Sequence, residues 1–418
     1  MSDSIEPQKE NRLMALINKV PFILQVVSGM VMVLGVIFAI ILPNGQPVIT
    51  MLGDLFVDAL KAIAPFLVLA LVMSSIALQK KGIDAKVKPI ILLFVVSMLG
   101  ATFVSLILTD IFPSTFAVLA DKVEATPPQN LASVLTSVIR RAVDNPASAL
   151  VNGNYIAILF WGIVFGVICR SASYKVKDGL QGFTEIIGRG VVFVIKFVPI
   201  GVFGLVYTAC TIDGGFKNLL GYAHVLGVSI VASIIIVLVL NPIIIFALTR
   251  RNPYPLIFAC IMHSGITAFF TRSSVANIPI NMQLCERLGI PKESYSISIP
   301  LGSTINMSGS TVIIVTLTMA AVHTLGIQVD LGSSILLCVV AVLCACGTSG
   351  IADGSLMLLP LSCSLFGIQN DVAMQVVAIG FIIGVIQDGF ATALNSSSDV
   401  LFTAVANKIT DVDFKKLK

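Results

Sequence analysis

The sequence predicts an all-α membrane protein with eight transmembrane helices and two re-entrant helical hairpins, laid out as inverted repeats. Three observations carry this. Of 418 residues, 56% are hydrophobic and 11% charged, with a mean hydropathy of +0.99; soluble domains carry about 25% charged residues. Apolar runs recur from residue 20 onward, long enough to cross about 30 Å of hydrocarbon. Near the C-terminal end, two shorter apolar runs break at small polar residues, and each is followed by a longer helix bearing polar groups.

Residues 1–19 form a charged tail (Lys9, Glu10, Arg12, Lys19), and 20–42 form the first span. That run is too long for a signal-peptide core and lacks a small-residue cleavage site, so it is expected in the mature chain. Pro43-Asn44-Gly45 marks a turn. The second span runs to residue 78, a lysine-dense loop follows (Lys80, Lys81, Lys86, Lys88), and the third span covers 90–108. Residues 109–154 are mixed and polar, with Pro127-Pro128, Arg140-Arg141 and Asn145-Pro146: an extended external connection, not another domain. The fourth span is 155–169 and the fifth 191–209, with Lys196, Pro199 and Gly201 in its middle. The sixth, 225–248, ends at Arg250-Arg251. Basic residues thus collect in the N-terminal tail, after spans two, four and six, and at Lys415, Lys416 and Lys418. By the positive-inside rule both termini are expected to be cytoplasmic. The net charge of +4 therefore reports topology, and no nucleic-acid partner is implied.

Beyond Arg251 the pattern changes. Residues 255–270 lead to Thr271-Arg272-Ser273-Ser274 and continue through 275–284; residues 334–346 lead to a tip at 347–354 and continue through 355–366. Each limb is about 12–16 residues, too short for a full crossing at about 1.5 Å per residue. Re-entrant hairpins follow, whose tip backbone must be buried in protein or line a wet cavity. The first hairpin precedes a helix over 297–321, broken at 306–310; the second precedes a helix over 373–405. A hairpin plus a polar-interrupted helix, twice over, predicts an inverted repeat with a binding site where the halves meet.

The strongest chemical signal lies in that last helix. Asp388, Thr392, Asn395 and Asp399 are spaced four, three and four residues apart, so they fall within an arc of about 60° on one face. An acid at the bilayer centre costs about 2.5–3.5 kcal/mol, and such groups are functional by default. If both tips and both interruptions converge there, half-helix N-termini favour a carboxylate, while unwound carbonyls suit a hard cation such as Na⁺. Ser273, Ser274, Thr348 and Ser349 add hydroxyls. Asp388 suits a ligand ammonium, Thr392 and Asn395 its carboxylate, and Asp399 a cation, so the implied ligand is a small zwitterion.

Other residues carry less. Ser, Thr and Gly in membrane helices often serve only close packing, and Asn306 is either interhelical glue or part of the site. Arg272 is either a counter-ion for Asp388 or Asp353, or a direct ligand contact; buried charge needs a partner. Asp353 is either a site acid or a solvent-facing one. His224, His263 and His323 lack metal spacing, and the eight cysteines form no disulfide framework. Lys196 is expected to snorkel or pair.

Four motifs in order, T-R-S-S at 271–274, N-M-S-G-S at 306–310, G-T-S-G at 347–350 and D-x-x-x-T-x-x-N-x-x-x-D at 388–399, resemble the dicarboxylate/amino-acid:cation symporters, the glutamate-transporter homologues. The pattern is most similar to the bacterial sodium:serine/threonine symporter branch. The resemblance implies a homotrimeric, elevator-type transporter of the bacterial inner membrane, with no cofactor beyond Na⁺ as coupling ion and no enzymatic activity. It implies scaffold segments at 20–85 (spans one and two) and 113–215 (external connection, spans four and five). The transport segments would be 86–112 (span three) and 216–405 (span six to span eight), with cytoplasmic tails at 1–19 and 406–418. By position, Asp388 would hold the substrate amino group, and Thr392, Asn395, Ser273, Ser274, Ser349 and Gly350 the rest. One Na⁺ would sit with Asp399 and the backbone of Gly302, Asn306 and Asn395. A second would use carbonyls around Thr304, Ala345, Cys346 and Thr348.

Two departures from the family pattern matter. Acidic-substrate members carry Arg three residues after the Asp; here the position is Ala391. A substrate side-chain carboxylate would then be buried without a guanidinium fork, which favours serine and threonine over dicarboxylates or acidic amino acids. The family acid of the N-M-D motif is Ser308, which removes a support for a third sodium. The expected activity is sodium-coupled import of small neutral amino acids; the alternatives are a sodium- or proton-coupled dicarboxylate symporter and, in another class, an ion channel.

Overall fold

The computed structural model describes residues 27, 29–78, 87–116, 139–211, 215–347 and 354–412. The terminal tails, the lysines at 80, 81 and 86, and the second tip with Thr348, Ser349, Gly350 and Asp353 lie outside them. Among the described residues the chain is helical, with no strand. The helices are α1 (Gly29–Ile41), α2 (Pro47–Ala77), α3 (Lys88–Ile111), α4 (Pro146–Asn152), α5 (Tyr155–Arg170), α6 (Tyr174–Ile195), α7 (Val198–Thr211) and α8 (Lys217–Thr249). They continue as α9 (Tyr254–Thr271), α10 (Ile278–Arg287), α11 (Lys292–Ile305), α12 (Ser308–Thr324), α13 (Leu331–Gly347), α14 (Leu359–Ser364) and α15 (Asn370–Ala406).

Among the described residues, six helical stretches are long and apolar enough to cross a membrane, or seven if α6 and α7, bent by 51°, form one span. The sequence expectation of eight differs for identifiable reasons. The described parts of the first and fourth spans, α1 and α5, are only 10–17 residues long. The fifth starts at Tyr174, not near residue 191, and the bend falls at the exposed Lys196 and Phe197. Conversely, α9, read from sequence as a short limb, is 18 residues long, or about 27 Å.

Burial sorts the helices. In the most apolar window of α11–α12, 94% of residues are buried, and in that of α15, 78%; the other candidate spans reach 39–50%. The two polar-bearing helices are therefore the interior, and the others turn an apolar face outward, as lipid contact demands. α12 packs against α3, α13 and α15, and α9 packs along α15, while α2 packs on α5, α6 and α7. The two groups meet through the Phe56–Phe381 edge-to-face pair (5.3 Å between centroids) and the Lys61–Asp371 ion pair (2.7 Å).

Breaks in the helices have local causes. In α8 a π turn at Ile236–Leu240 precedes Asn241-Pro242. Proline has no N–H to give to the carbonyl four residues back, and that carbonyl, of Leu238, accepts instead from the Tyr254 hydroxyl at 3.2 Å. α9 carries a second π turn, Ile261–Gly265, and ends at Arg272 in a left-handed conformation (φ 51°), the usual reversal after a helix. The chain then turns through 273–277 into α10. The expected break between α11 and α12 is present at Asn306-Met307, whereas α15 runs unbroken for 37 residues. The two halves are thus unequal here: one deep helix is interrupted and the other carries its polar groups on a continuous face.

Candidate binding cavity and cation position

Asp388, Thr392 and Asn395 line one polar cavity with Arg272, Ser273 and Ser274 of the first turn. Its remaining wall is Met307 and Ser310 at the α11–α12 break, and Gly354 and Ser355 after the second tip. The space left free inside it is about 30 Å³, well below the roughly 300–1,000 Å³ of ligand clefts, so the polar groups are closed on one another here. Met307, Ser310, Gly354 and Ser355 were not singled out from sequence. Ser310 lies inside the N-M-S-G-S interruption and Gly354–Ser355 directly follow the second tip, so proximity to a helix break was the available signal.

Among the described residues the cavity lining carries one base and one acid, and they are paired. Arg272 Nε donates to Asp388 Oδ2 at 2.8 Å, and the two side chains are only 9% and 12% exposed. Arg272 therefore supports Asp388, the first of its two sequence alternatives, and it also forms part of the wall. Removing either partner strands a buried charge, at a cost of about 3–5 kcal/mol.

The turn that carries Arg272 is held rigidly on α15. Asn277 Nδ2 donates to Ser396 Oγ at 2.7 Å and to Ser264 Oγ at 3.1 Å, and Asn281 Nδ2 donates to Ser396 O at 3.1 Å. All four residues are fully buried. Asn277 Oδ1 finds no partner among the described residues, but the amide donors of the network tie together the helices that share it.

Asn395 joins α15 to the break. Its Oδ1 accepts from Gly309 N at 2.7 Å and its Nδ2 faces Met307 Sδ at 3.4 Å. The N-terminus of α12, whose own N-cap residue offers no side-chain bond, is thus capped across helices. The fit is tight because Gly309 has no Cβ: one would collide with the backbone of Ala391.

One turn further along α15, Asp399 is fully buried. Its Oδ1 accepts from Asn306 Nδ2 at 2.9 Å, while Asp399 Oδ2 and Asn306 Oδ1 find no partner. A Cβ on Gly302 would lie 2.5 Å from Asp399 Oδ1, so the α11 backbone reaches the carboxylate. Among the described residues these two oxygens, one of a buried acid and one of the amide beside it, are left without a partner and are chemically able to ligate a hard cation. The end of α13 arrives nearby, with Cys346 Sγ 3.5 Å from Ile305 O. Of the residues expected around a second ion, Cys346 thus reaches the residue next to Thr304, and Thr348 lies outside the described residues. Ser308 belongs to a neutral cluster instead: its Oγ lies 3.3 Å from Ser97 Oγ, which donates to Asn241 Oδ1 at 3.2 Å.

Ala391 departs from expectation. It does not line the cavity with Asp388. It is 3% exposed and packed among Ser229, Gly309 and Gln387 with no free volume for a water. Gln387 Nε2 donates to Ser229 Oγ at 2.8 Å and its Oε1 has no partner. Sequence spacing placed Ala391 three residues from Asp388 but did not show that α12 crosses α15 on that side.

No group of His, Cys, Asp and Glu among the described residues is placed to hold a metal. His224 Nδ1 is bonded to Ser114 Oγ at 2.7 Å, and His323 Nε2 faces Asp110 at 3.8 Å.

These features define a multi-pass helical membrane protein with an internal, charge-paired polar cavity. The chain matches the sodium:dicarboxylate symporter family over residues 22–409, nearly its whole length, and it belongs to that family. It is therefore a membrane transporter rather than an enzyme.

Proposed function

We propose that this chain is a sodium-coupled symporter importing small neutral amino acids, with serine and threonine favoured. The observation that carries the substrate reading is the Arg272–Asp388 pair in the cavity wall. Among the described lining residues one negative and one positive group are paired, so the ligand best matched is itself net neutral with separated charges: its ammonium on Asp388, its carboxylate among Thr392, Ser273, Ser274 and the guanidinium side. Ser310 and Ser355 supply hydroxyl partners for a short polar side chain.

The coupling ion is assigned to Asp399 with Asn306, Asn395 and Gly302, supported by the idle oxygens of Asp399 and Asn306. One cation falling through 100 mV releases about 2.3 kcal/mol, enough for roughly a fortyfold gradient of substrate. The wider reading is an elevator-type homotrimer of the bacterial inner membrane with cytoplasmic termini. Segments 20–85 and 113–215 form its scaffold, and 86–112 and 216–405 its moving unit.

One observation favours a second reading, dicarboxylate transport: Arg272 is a cation at the cavity wall, and an acidic substrate that displaced Asp388 from it would be paired. Competition in a serine-uptake assay separates the two. Inhibition by threonine and alanine but not by aspartate or succinate supports the neutral-substrate reading; inhibition by aspartate or succinate at serine-like concentrations defeats it.

A further inference from the structure

The start of α3 and the ends of α8 and α15 meet at a groove whose lining shares no residue with the binding cavity. Its floor is apolar, made by Pro89, Leu92, Leu93, Leu248 and Val405, and it encloses about 990 Å³, open solvent included. Its rim is basic and hydroxylated, with Arg251, Lys408 and Thr410. These are the loops rich in lysine and arginine, which the positive-inside rule places at the cytoplasmic leaflet.

Three features go beyond ordinary charge at a helix end. Thr410 lines the groove, is 4% exposed, and its hydroxyl has no partner among the described residues; buried hydroxyls are seldom left so. Lys408 (φ 59°), just past the end of α15, lines the groove from a left-handed position, where glycine or asparagine is the favoured choice. A basic side chain stands there despite the backbone cost. The third feature is the apolar floor directly beneath a cationic rim, a pairing that suits a headgroup and its hydrocarbon chain together.

We propose that this groove binds an anionic glycerophospholipid of the cytoplasmic leaflet. The phosphate sits between Lys408, Arg251 and the Thr410 hydroxyl, turned toward the groove by rotation about its side-chain bond. One acyl chain lies over Leu92, Leu93 and Leu248. Arg251 is engaged by Asp411, at 2.5 Å, but both groups are more than half exposed (59% and 84%). A pair of that kind is weak and exchangeable, so Asp411 competes with the lipid for Arg251.

The test uses the full chain, purified in neutral detergent. Native mass spectrometry titrates it with phosphatidylglycerol, with phosphatidylcholine of matched chains, and with inorganic phosphate. The expected order is phosphatidylglycerol tighter than phosphatidylcholine, with no competition from inorganic phosphate. Each basic residue near an anionic headgroup is worth about fivefold, so R251Q/K408Q weakens phosphatidylglycerol by about twenty-fivefold. T410V also weakens it, and D411N tightens it by up to about fivefold. R189Q, an exposed position on α6, leaves it unchanged and controls for total charge. Equal binding of the two lipids by the wild type overturns the proposal, as does a double variant that binds phosphatidylglycerol as well as wild type. Displacement of the lipid by inorganic phosphate also overturns it, because the site is then for phosphate alone. None of these readouts depends on which substrate the protein carries.

Discussion

Replacing Asp399 by asparagine tests the cation position without touching the polar cavity. In the wild type the carboxylate is dry, with one oxygen held by Asn306 and the other idle. An ionised acid in that setting costs several kcal/mol unless a counter-charge joins it. Sodium at a hundred times its dissociation constant would add about 2.7 kcal/mol to the folded state. At about 2.1 cal/mol/K per residue, each kcal/mol moves the melting temperature of a chain of this size by about 1 °C, so the expected rise is about 3 °C. The single tryptophan, Trp161, is a convenient reporter, since it stacks on Phe165 and donates to Asp144 O at 2.8 Å. Melting is followed in sodium chloride against choline chloride at equal ionic strength. The wild type should show the rise and Asp399→Asn should lose nearly all of it, while melting no lower than wild type in choline. A variant that keeps the full sodium-dependent rise, or a wild type that shows none, refutes the assignment of the cation to this carboxylate.

Further expectations follow from the same geometry. Asp388→Asn removes the charge-assisted partner of a substrate ammonium, worth about 2–3 kcal/mol, so serine affinity should fall about thirty- to a hundredfold in a binding titration; wild-type affinity would remove Asp388 from the site. Ala391→Arg should destabilise rather than change substrate choice, because Ala391 is packed with no free volume among residues that include no acid. A buried unpaired guanidinium costs about 3 kcal/mol or more, and a stable variant that transports aspartate would show that the position faces the cavity after all. Asp330 Oδ1 caps α13 by accepting from Ser333 N at 3.0 Å, and hydrogen bonds from Ser333 hold its carboxyl below the usual range. Its contribution is present above the unfolded value of about 3.9 and is lost as pH falls through the lower folded value. Asp330→Asn should therefore flatten the acid limb of a stability–pH curve, and an unchanged limb would count against this cap.

Much of the interior was legible because helical period and the cost of burying charge are local properties. The stripe Asp388–Thr392–Asn395–Asp399 follows from spacing alone, and the break at Asn306 from small polar residues in an apolar run. What spacing cannot supply is the identity of the neighbour. Ala391 lies within one turn of Asp388, yet the glycine at 309 lets α12 press against it and shuts it off from the cavity. Ser310 and Ser355 enter the cavity through the crossing of elements far apart in sequence. The π turns at Ile236–Leu240 and Ile261–Gly265 left no compositional mark beyond Pro242, since one extra residue in a turn barely alters an apolar pattern. The bend after Ile195 was foreshadowed by Lys196 and Pro199, but composition does not give its angle.

The most direct test of the central claim is uptake of radiolabelled serine into proteoliposomes containing the purified chain, with and without an inward sodium gradient. The account predicts concentrative uptake that requires the sodium gradient, rises with an inside-negative potential, and is lost in both Asp388→Asn and Asp399→Asn. Serine accumulation that is equal in sodium and choline, or that survives loss of both carboxylates, contradicts it.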